Sequence, residues 1–232
     1  MPSRNRNMPK SLVLTYISVF AALNALADFI PFTPILGIPG SSLSLGWILS
    51  PLTGILLGVK IGGISCLIGG LIDIFLGQPP IFGPFTPLRP AISAFITGML
   101  ASKYWRIPAV TLFALILLWL LLPTGRDASV ILVFHITGLV IILSLRGKIG
   151  DLIRSKSTER VAWGLFLATY CGNISRHLFG NILLVTILNL PFVFFIAAIP
   201  YTLIEQLIFA SGTMVMGIAL NRLRIHEFLQ LG

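Results

Sequence analysis

Cut at its turn signals, the chain falls into eight apolar runs, at 11–30, 43–59, 61–77, 88–102, 107–122, 128–145, 161–188 and 191–220. Its basic residues collect on alternate connections between those runs. Place the N-terminus in the cytoplasm and let the runs alternate. All of the 16 Lys and Arg residues except Arg89, Arg126 and Arg176 then fall inside: Arg4, Arg6, Lys10, Lys60, Lys103, Arg106, Arg146, Lys148, Arg154, Lys156, Arg160, Arg222 and Arg224. Such a bias marks the cytoplasmic loops of membrane proteins and fixes their orientation. The pattern reads as an all-α integral membrane protein in the cell membrane. It is a polytopic helical bundle of about eight spans, with N and C termini cytoplasmic.

Composition excludes the large soluble classes. A soluble domain is about a quarter charged; this chain of 232 residues is 10% charged and 56% hydrophobic. It reads as a single transmembrane domain over 1–232, with no room for a soluble catalytic domain. A net charge of +9 raises the question of nucleic acid. The charges sit in short loops beside spans, where they orient the chain and meet membrane lipid of anionic kind, so nucleic acid is not expected as a partner. Cys66 and Cys171 lie inside apolar runs and read as small buried hydrophobes, neither a disulfide nor a metal pair. Residues 1–27 also fit a secretory leader, with a basic start, an apolar run and Ala25-Leu26-Ala27 before a cut. Cleavage would leave seven spans starting at Asp28. The run to Ile30 is long enough for a span of about 20 residues, and is read as the first.

Glycine crowds the second and third runs: Gly54, Gly58, Gly62, Gly63, Gly69 and Gly70. Spacings of four between Gly54, Gly58 and Gly62 let helix backbones approach closely in lipid. Pro191 and Pro200 predict a tilt or kink in the last two runs. The tetrapeptide Pro-Phe-Thr-Pro occurs twice, at 31–34 and 84–87, both outside and both leading into the next span, with Pro39 and Pro90 further on. Two readings stand: chance in a proline-rich loop class, or two stiff aromatic lids, Phe32 and Phe85, over one outward cavity.

Polar side chains inside a bilayer are costly, so each asks for a partner or a task. Asn24 and Asp28, one helical turn apart, end the first span; Asp73 ends the third; Arg89 opens the fourth. They share one depth. Tyr170, Asn173, His177 and Asn181, spaced three, four and four, lie on one helical face with Arg176 beside them. In the eighth run Tyr201 and Glu205 are one turn apart. Arg176 and Glu205 sit at similar depth, and a buried pair between them would satisfy both charges. These groups form either the floor of a ligand cavity or ion pairs and caps that lock spans. No catalytic residue is assigned. Cys171 and His177, six apart, point about 120° away from a common face, out of the hydrogen-bond reach a nucleophile and base require. No metal site and no cofactor are expected.

Ser18, Ala21, Ala22 and Ala25 make a strip of small residues on the first span, about 90° from the Asn24–Asp28 face. Small residues in lipid invite a partner helix, from this chain or another.

In these features together the chain resembles the membrane-embedded substrate-binding subunits, the S components, of energy-coupling factor (ECF) transporters for vitamins. Ala21-Ala22-Leu23-Asn24-Ala25 looks like their A-x-x-x-A region in the first helix. The stretch from Gly46 to Gly77, with Ser50-Pro51-Leu52-Thr53-Gly54 and Gly69-Gly70-Leu71-Ile72-Asp73, is similar to their second and third helices. Gly83-Pro84-Phe85-Thr86-Pro87 through Gly98 looks like the way into the fourth, and Pro200-Tyr201-Thr202-Leu203-Ile204-Glu205 like the start of the last. S components have six spans, so the resemblance makes the 107–145 hairpin an addition to a six-helix core. It implies a binding subunit without its own energy source, which captures a vitamin-like small molecule outside. Its partners would be a transmembrane coupling protein, docked on Ser18, Ala21, Ala22 and Ala25, and two cytoplasmic ATP-binding cassette ATPases. The groups singled out above, Asn24, Asp28, Phe32, Asp73, Phe85, Arg89, Asn173, Arg176, His177, Tyr201 and Glu205, are then the candidate substrate contacts. Two other classes stay open: a self-sufficient secondary transporter with Glu205, His177 or Asp73 carrying a proton, and a membrane-embedded enzyme or assembly factor.

Overall fold

The computed structural model describes residues 9–35, 40 and 42–222. Arg4, Arg6 and Arg224 of the charge pattern and Pro39 of the outer loop lie outside them. The apolar runs emerge as helices because a helix satisfies every backbone N–H and C=O within its own segment, which an apolar solvent demands. In chain order these are α1 (Lys10–Asp28), α2 (Gly46–Phe75), α3 (Leu88–Ala101), α4 (Arg106–Leu121), α6 (Leu132–Leu145), α8 (Thr158–Leu188) and α10 (Ile199–Arg222). Short helices α5 (Pro123–Asp127), α7 (Lys148–Ile153) and α9 (Phe192–Ala197) cap the connections. Between α1 and α2, strand β1 (Pro31–Pro34) pairs antiparallel with β2 (Ser42–Ser44).

The second and third runs share α2, which is not a straight rod. At Gly58 the backbone takes φ 74° and ψ −179°, a region open to glycine and strained for other residues. There the helix folds back on itself. Cys66 Sγ lies 3.8 Å from the carbonyl oxygen of Ser50, although residues sixteen apart in a straight helix are separated by about 24 Å. A Cβ on Gly62 would stand 2.8 Å from Gly54 Cα. The glycines are what let the two arms, 46–57 and 59–75, touch backbone to backbone.

Among the described residues, three helices are long and apolar enough to cross a membrane, counted end to end: Lys10–Asp28, Gly46–Phe75 and Ile199–Leu220. The run at 191–220 divides at Ala198. α8 ends on Asn189 in the left-handed conformation, Pro191 then precedes α9, and Pro200 sits in the first turn of α10, where its missing N–H costs nothing.

The loops segregate to two ends. At one end the Lys103 ammonium meets Asp151, and Gly150 packs against the carbonyl of Ala101, so the basic loops 102–106 and 146–160 lie together. At the other end Gly70 packs on Pro87 and the Trp119 ring meets Phe195 edge-on at 5.1 Å.

The 107–145 hairpin, set apart above as an addition, is built into the main core. Leu112, Trp119 and Ile142 are fully buried with Leu100, Ile174 and Leu178 of α3 and α8. A Cβ on Gly138 of α6 would touch Ile174 of α8.

Candidate functional site

At the end of the bundle that carries the β-hairpin, α2, α3, α8, α9 and α10 splay apart around an open cleft of about 690 Å³, its mouth included. Its wall is Trp47, one residue into α2, buried to 1% exposure. The indole is held from behind. Asn173 Nδ2 donates to the Trp47 carbonyl at 2.9 Å while its oxygen accepts from Ser93 at 2.9 Å. Phe209 stacks on the ring at 5.5 Å and Phe32 leans on Phe209 at 5.4 Å.

Two guanidinium groups share that indole. The Arg176 carbon lies 4.2 Å from the ring centroid and the Arg89 carbon 5.5 Å, with Arg89 also 4.5 Å from the Phe82 ring. Arg176 donates to the carbonyl of Gly46 at 3.3 Å. Both Nε atoms are buried without a hydrogen-bond partner among the described residues. Neither arginine is in a salt bridge: among the described residues the one ion pair joins Lys103 and Asp151. Guanidinium groups that keep unused donors beside an apolar cleft suit an anionic, planar acceptor such as a carboxylate.

The cleft lining includes five residues singled out from the sequence: Arg89, His177, Asn181, Tyr201 and Glu205. Asn173 and Arg176 stand one layer back, behind Trp47. Phe32 is 45% exposed and reaches the wall only through Phe209. Phe85 is also 45% exposed and outside the lining; Phe82, three residues earlier and buried, faces the cleft instead. The structure thus gives the two Pro-Phe-Thr-Pro stretches different parts. The first forms β1, with Pro34 at the rim; the second turns through a short 3₁₀ segment into α3.

Asn24 binds helices together. Its Nδ2 donates to Thr53 Oγ1 at 3.0 Å and its Oδ1 accepts from Ser50 Oγ at 3.1 Å, joining α1 to α2. Ser44 donates to the Asp28 carboxylate, which faces Asp73. Asp73 is 5% exposed and its Oδ1 has no partner among the described residues.

Two expectations are corrected. The Arg176–Glu205 ion pair does not form: Arg176 turns to Gly46 and Trp47, and Glu205 faces Thr33 of β1. Similar depth along two helices does not make their side chains share a face. The small strip of α1 is also divided. Ala21 and Ala25 are buried at 0% and 2% against Gly69 of α2, and only Ser18 and Ala22 face outward.

Sequence reasoning missed Trp47, Phe82 and His135. His135 had a signal, an ionisable residue within an apolar run. Its ring lies nearly parallel to that of His177, with 16° between the planes and 5.5 Å between the centroids. Trp47 and Phe82 carried none, since an aromatic residue near a span end is ordinary. Among the described residues, no three His, Cys, Asp or Glu side chains gather closely enough to hold a metal ion.

No family model matches the chain. Over 202 residues it is 30% identical to an uncharacterized protein of Methanocaldococcus jannaschii, a match that takes in 86% of this chain and 67% of that one. In structure it is similar to the S component for biotin from an ECF-type ABC transporter, solved at 2.1 Å. The TM-score is 0.55 and the identity 18%, over 96% of this chain and 95% of that one. The fold is therefore that of an S component.

Proposed function

We propose that this chain, which belongs to one family with the Methanocaldococcus jannaschii protein and carries the S-component fold, is the membrane-embedded substrate-binding subunit of an ECF-type transporter. It spans the cell membrane as one transmembrane domain of about eight segments, with both termini cytoplasmic. It captures a vitamin-like small molecule from outside. A separate transmembrane coupling protein and two cytoplasmic ATP-binding cassette ATPases drive release inward.

One observation carries the reading: Arg89, without a salt bridge among the described residues, lines a cleft of mainly apolar and aromatic side chains, and Arg176 lies against the Trp47 ring behind it. That arrangement supports a ligand with an apolar body and an acidic group. Purifying the full chain and identifying any co-purifying small molecule by mass spectrometry tests it directly. An acidic molecule is expected, lost in Arg89→Ala, since removing one member of a buried charge-assisted contact costs on the order of 2–5 kcal/mol. A cleft that holds no acidic compound and gives the same result in Arg89→Ala removes the proposal.

The facing carboxyls of Asp28 and Asp73 favour a second reading, a proton-coupled secondary transporter. Uptake into proteoliposomes holding this chain alone, driven by a proton gradient, would select it.

A further inference from the structure

The histidine pair beside the cleft obeys a strict hydrogen-bond count. His135 Nδ1 lies 3.0 Å from the carbonyl oxygen of Ile131, four residues earlier in the chain. A carbonyl only accepts, so His135 Nδ1 carries its proton. His135 Nε2 then lies 3.3 Å from His177 Nδ1, and one proton must sit between them. Were it on His135, that ring would be an imidazolium, a buried positive charge with no carboxylate paired to it among the described residues. The alternative keeps both rings neutral: His177 Nδ1–H donates and His135 Nε2 accepts. Asn181 Nδ2 is placed 3.4 Å from the same Nδ1; with that ring nitrogen protonated the amide turns over to present its oxygen, the two ends of an amide being alike in shape.

His177 is left with a bare lone pair on Nε2. That atom makes no hydrogen bond among the described residues and is not among their buried unpartnered atoms, and the residue lines the cleft. We propose that His135 is a positioning residue: it fixes His177 in the Nδ1–H form, so that the cleft, which Arg89 also lines, offers its ligand an imidazole Nε2 acceptor. The site then selects a molecule with an N–H or O–H donor as well as an anionic group. A neutral histidine that is free to choose can offer either edge; the bond to His135 removes the choice. The ligand clause rests on the proposed role of the cleft, whereas the tautomers exist without ligand.

The test uses the full chain, labelled with ¹³C and ¹⁵N at histidine, in lipid vesicles and without ligand. Magic-angle-spinning NMR reads which ring nitrogen of each histidine is unprotonated, and loss of one set in His226→Gln assigns the third histidine. Expected are neutral rings with bare Nε2 in both His135 and His177. In His135→Phe the His177 bare nitrogen moves to Nδ1 in a sizeable fraction. In His135→Gln, whose side-chain oxygen again accepts, it stays on Nε2. A wild-type His177 with bare Nδ1, an imidazolium at His135, or a His177 spectrum indifferent to His135→Phe overturns the proposal. If His135→Phe fails to fold, the wild-type tautomers and His135→Gln still decide. Acetamide and N,N-dimethylacetamide serve as probes of the acceptor. Only acetamide, which has N–H donors, is expected to shift the His177 Nε2 resonance. Equal shifts, or none with either probe, mean that the lone pair does not face the cleft. These readings are independent of transport, so a failed transport assay and a failed tautomer assay point to different errors.

Discussion

Gly180 shows how finely the residue scale sets this site. A Cβ there would stand 3.1 Å from Arg89 Nε and 3.6 Å from its guanidinium carbon. The neighbour is the end of a flexible side chain, so it gives way without disturbing the helix. Gly180→Ala is expected to displace the guanidinium from the Phe82 and Trp47 rings. Affinity for the co-purifying acidic ligand should fall about tenfold, the equivalent of roughly 1.4 kcal/mol, while the thermal midpoint hardly changes. Isothermal titration beside a thermal melt checks both halves. An unchanged affinity would mean that Arg89 does not touch the ligand.

At the scale of elements, α2 depends on two glycines for opposite reasons. Gly54 lies where the carbonyl of Ala94 comes closest, and a methyl group there would overlap a backbone atom that cannot swing aside. Gly54→Ala is expected to force α2 and α3 apart, at a cost on the order of 1–3 kcal/mol. Gly58→Ala meets the strain of φ 74° instead, again about 1–3 kcal/mol. Thermal melts of the two variants in detergent read these losses. Helix α1 divides in the same way. Ala25→Trp should unfold or destabilise the isolated chain, because Ala25 is buried against Gly69. Ala22→Trp, on the outward side, should leave folding and ligand binding intact and abolish uptake with the coupling protein. Full uptake by Ala22→Trp would place the partner surface elsewhere.

At the scale of the whole molecule the two ends differ chemically. One carries the basic loops around Lys103 and Asp151; the other carries the cleft. The two native cysteines, Cys66 and Cys171, are buried, which makes single added cysteines clean reporters. Ser157→Cys is expected to stay unlabelled by a membrane-impermeant thiol reagent in intact cells, and Ser129→Cys, exposed at the cleft end, to be labelled. The opposite pattern would invert the orientation and point the cleft into the cell.

The sequence by itself determined the helical segments and the segregation of charge, because both follow from solvation along the chain. An apolar run must form a helix, and basic loops keep to one side. It also placed Asn24, Asp28, Asp73 and Arg89 at one depth and Arg176 level with Glu205, and of the residues it singled out Arg89, His177, Asn181, Tyr201 and Glu205 line one cleft. Depth is a one-dimensional property and can be counted from span ends. Azimuth and partner choice are three-dimensional, and only the tertiary structure decided them. It turned Arg176 to Trp47 instead of Glu205, put Phe82 rather than Phe85 in the wall, and set His135 against His177 from a hairpin that had looked separate. It also buried Ala21 and Ala25 while leaving Ala22 free. Each of these depends on which faces of packed helices meet, and close packing fixes that through contacts between residues far apart in the chain.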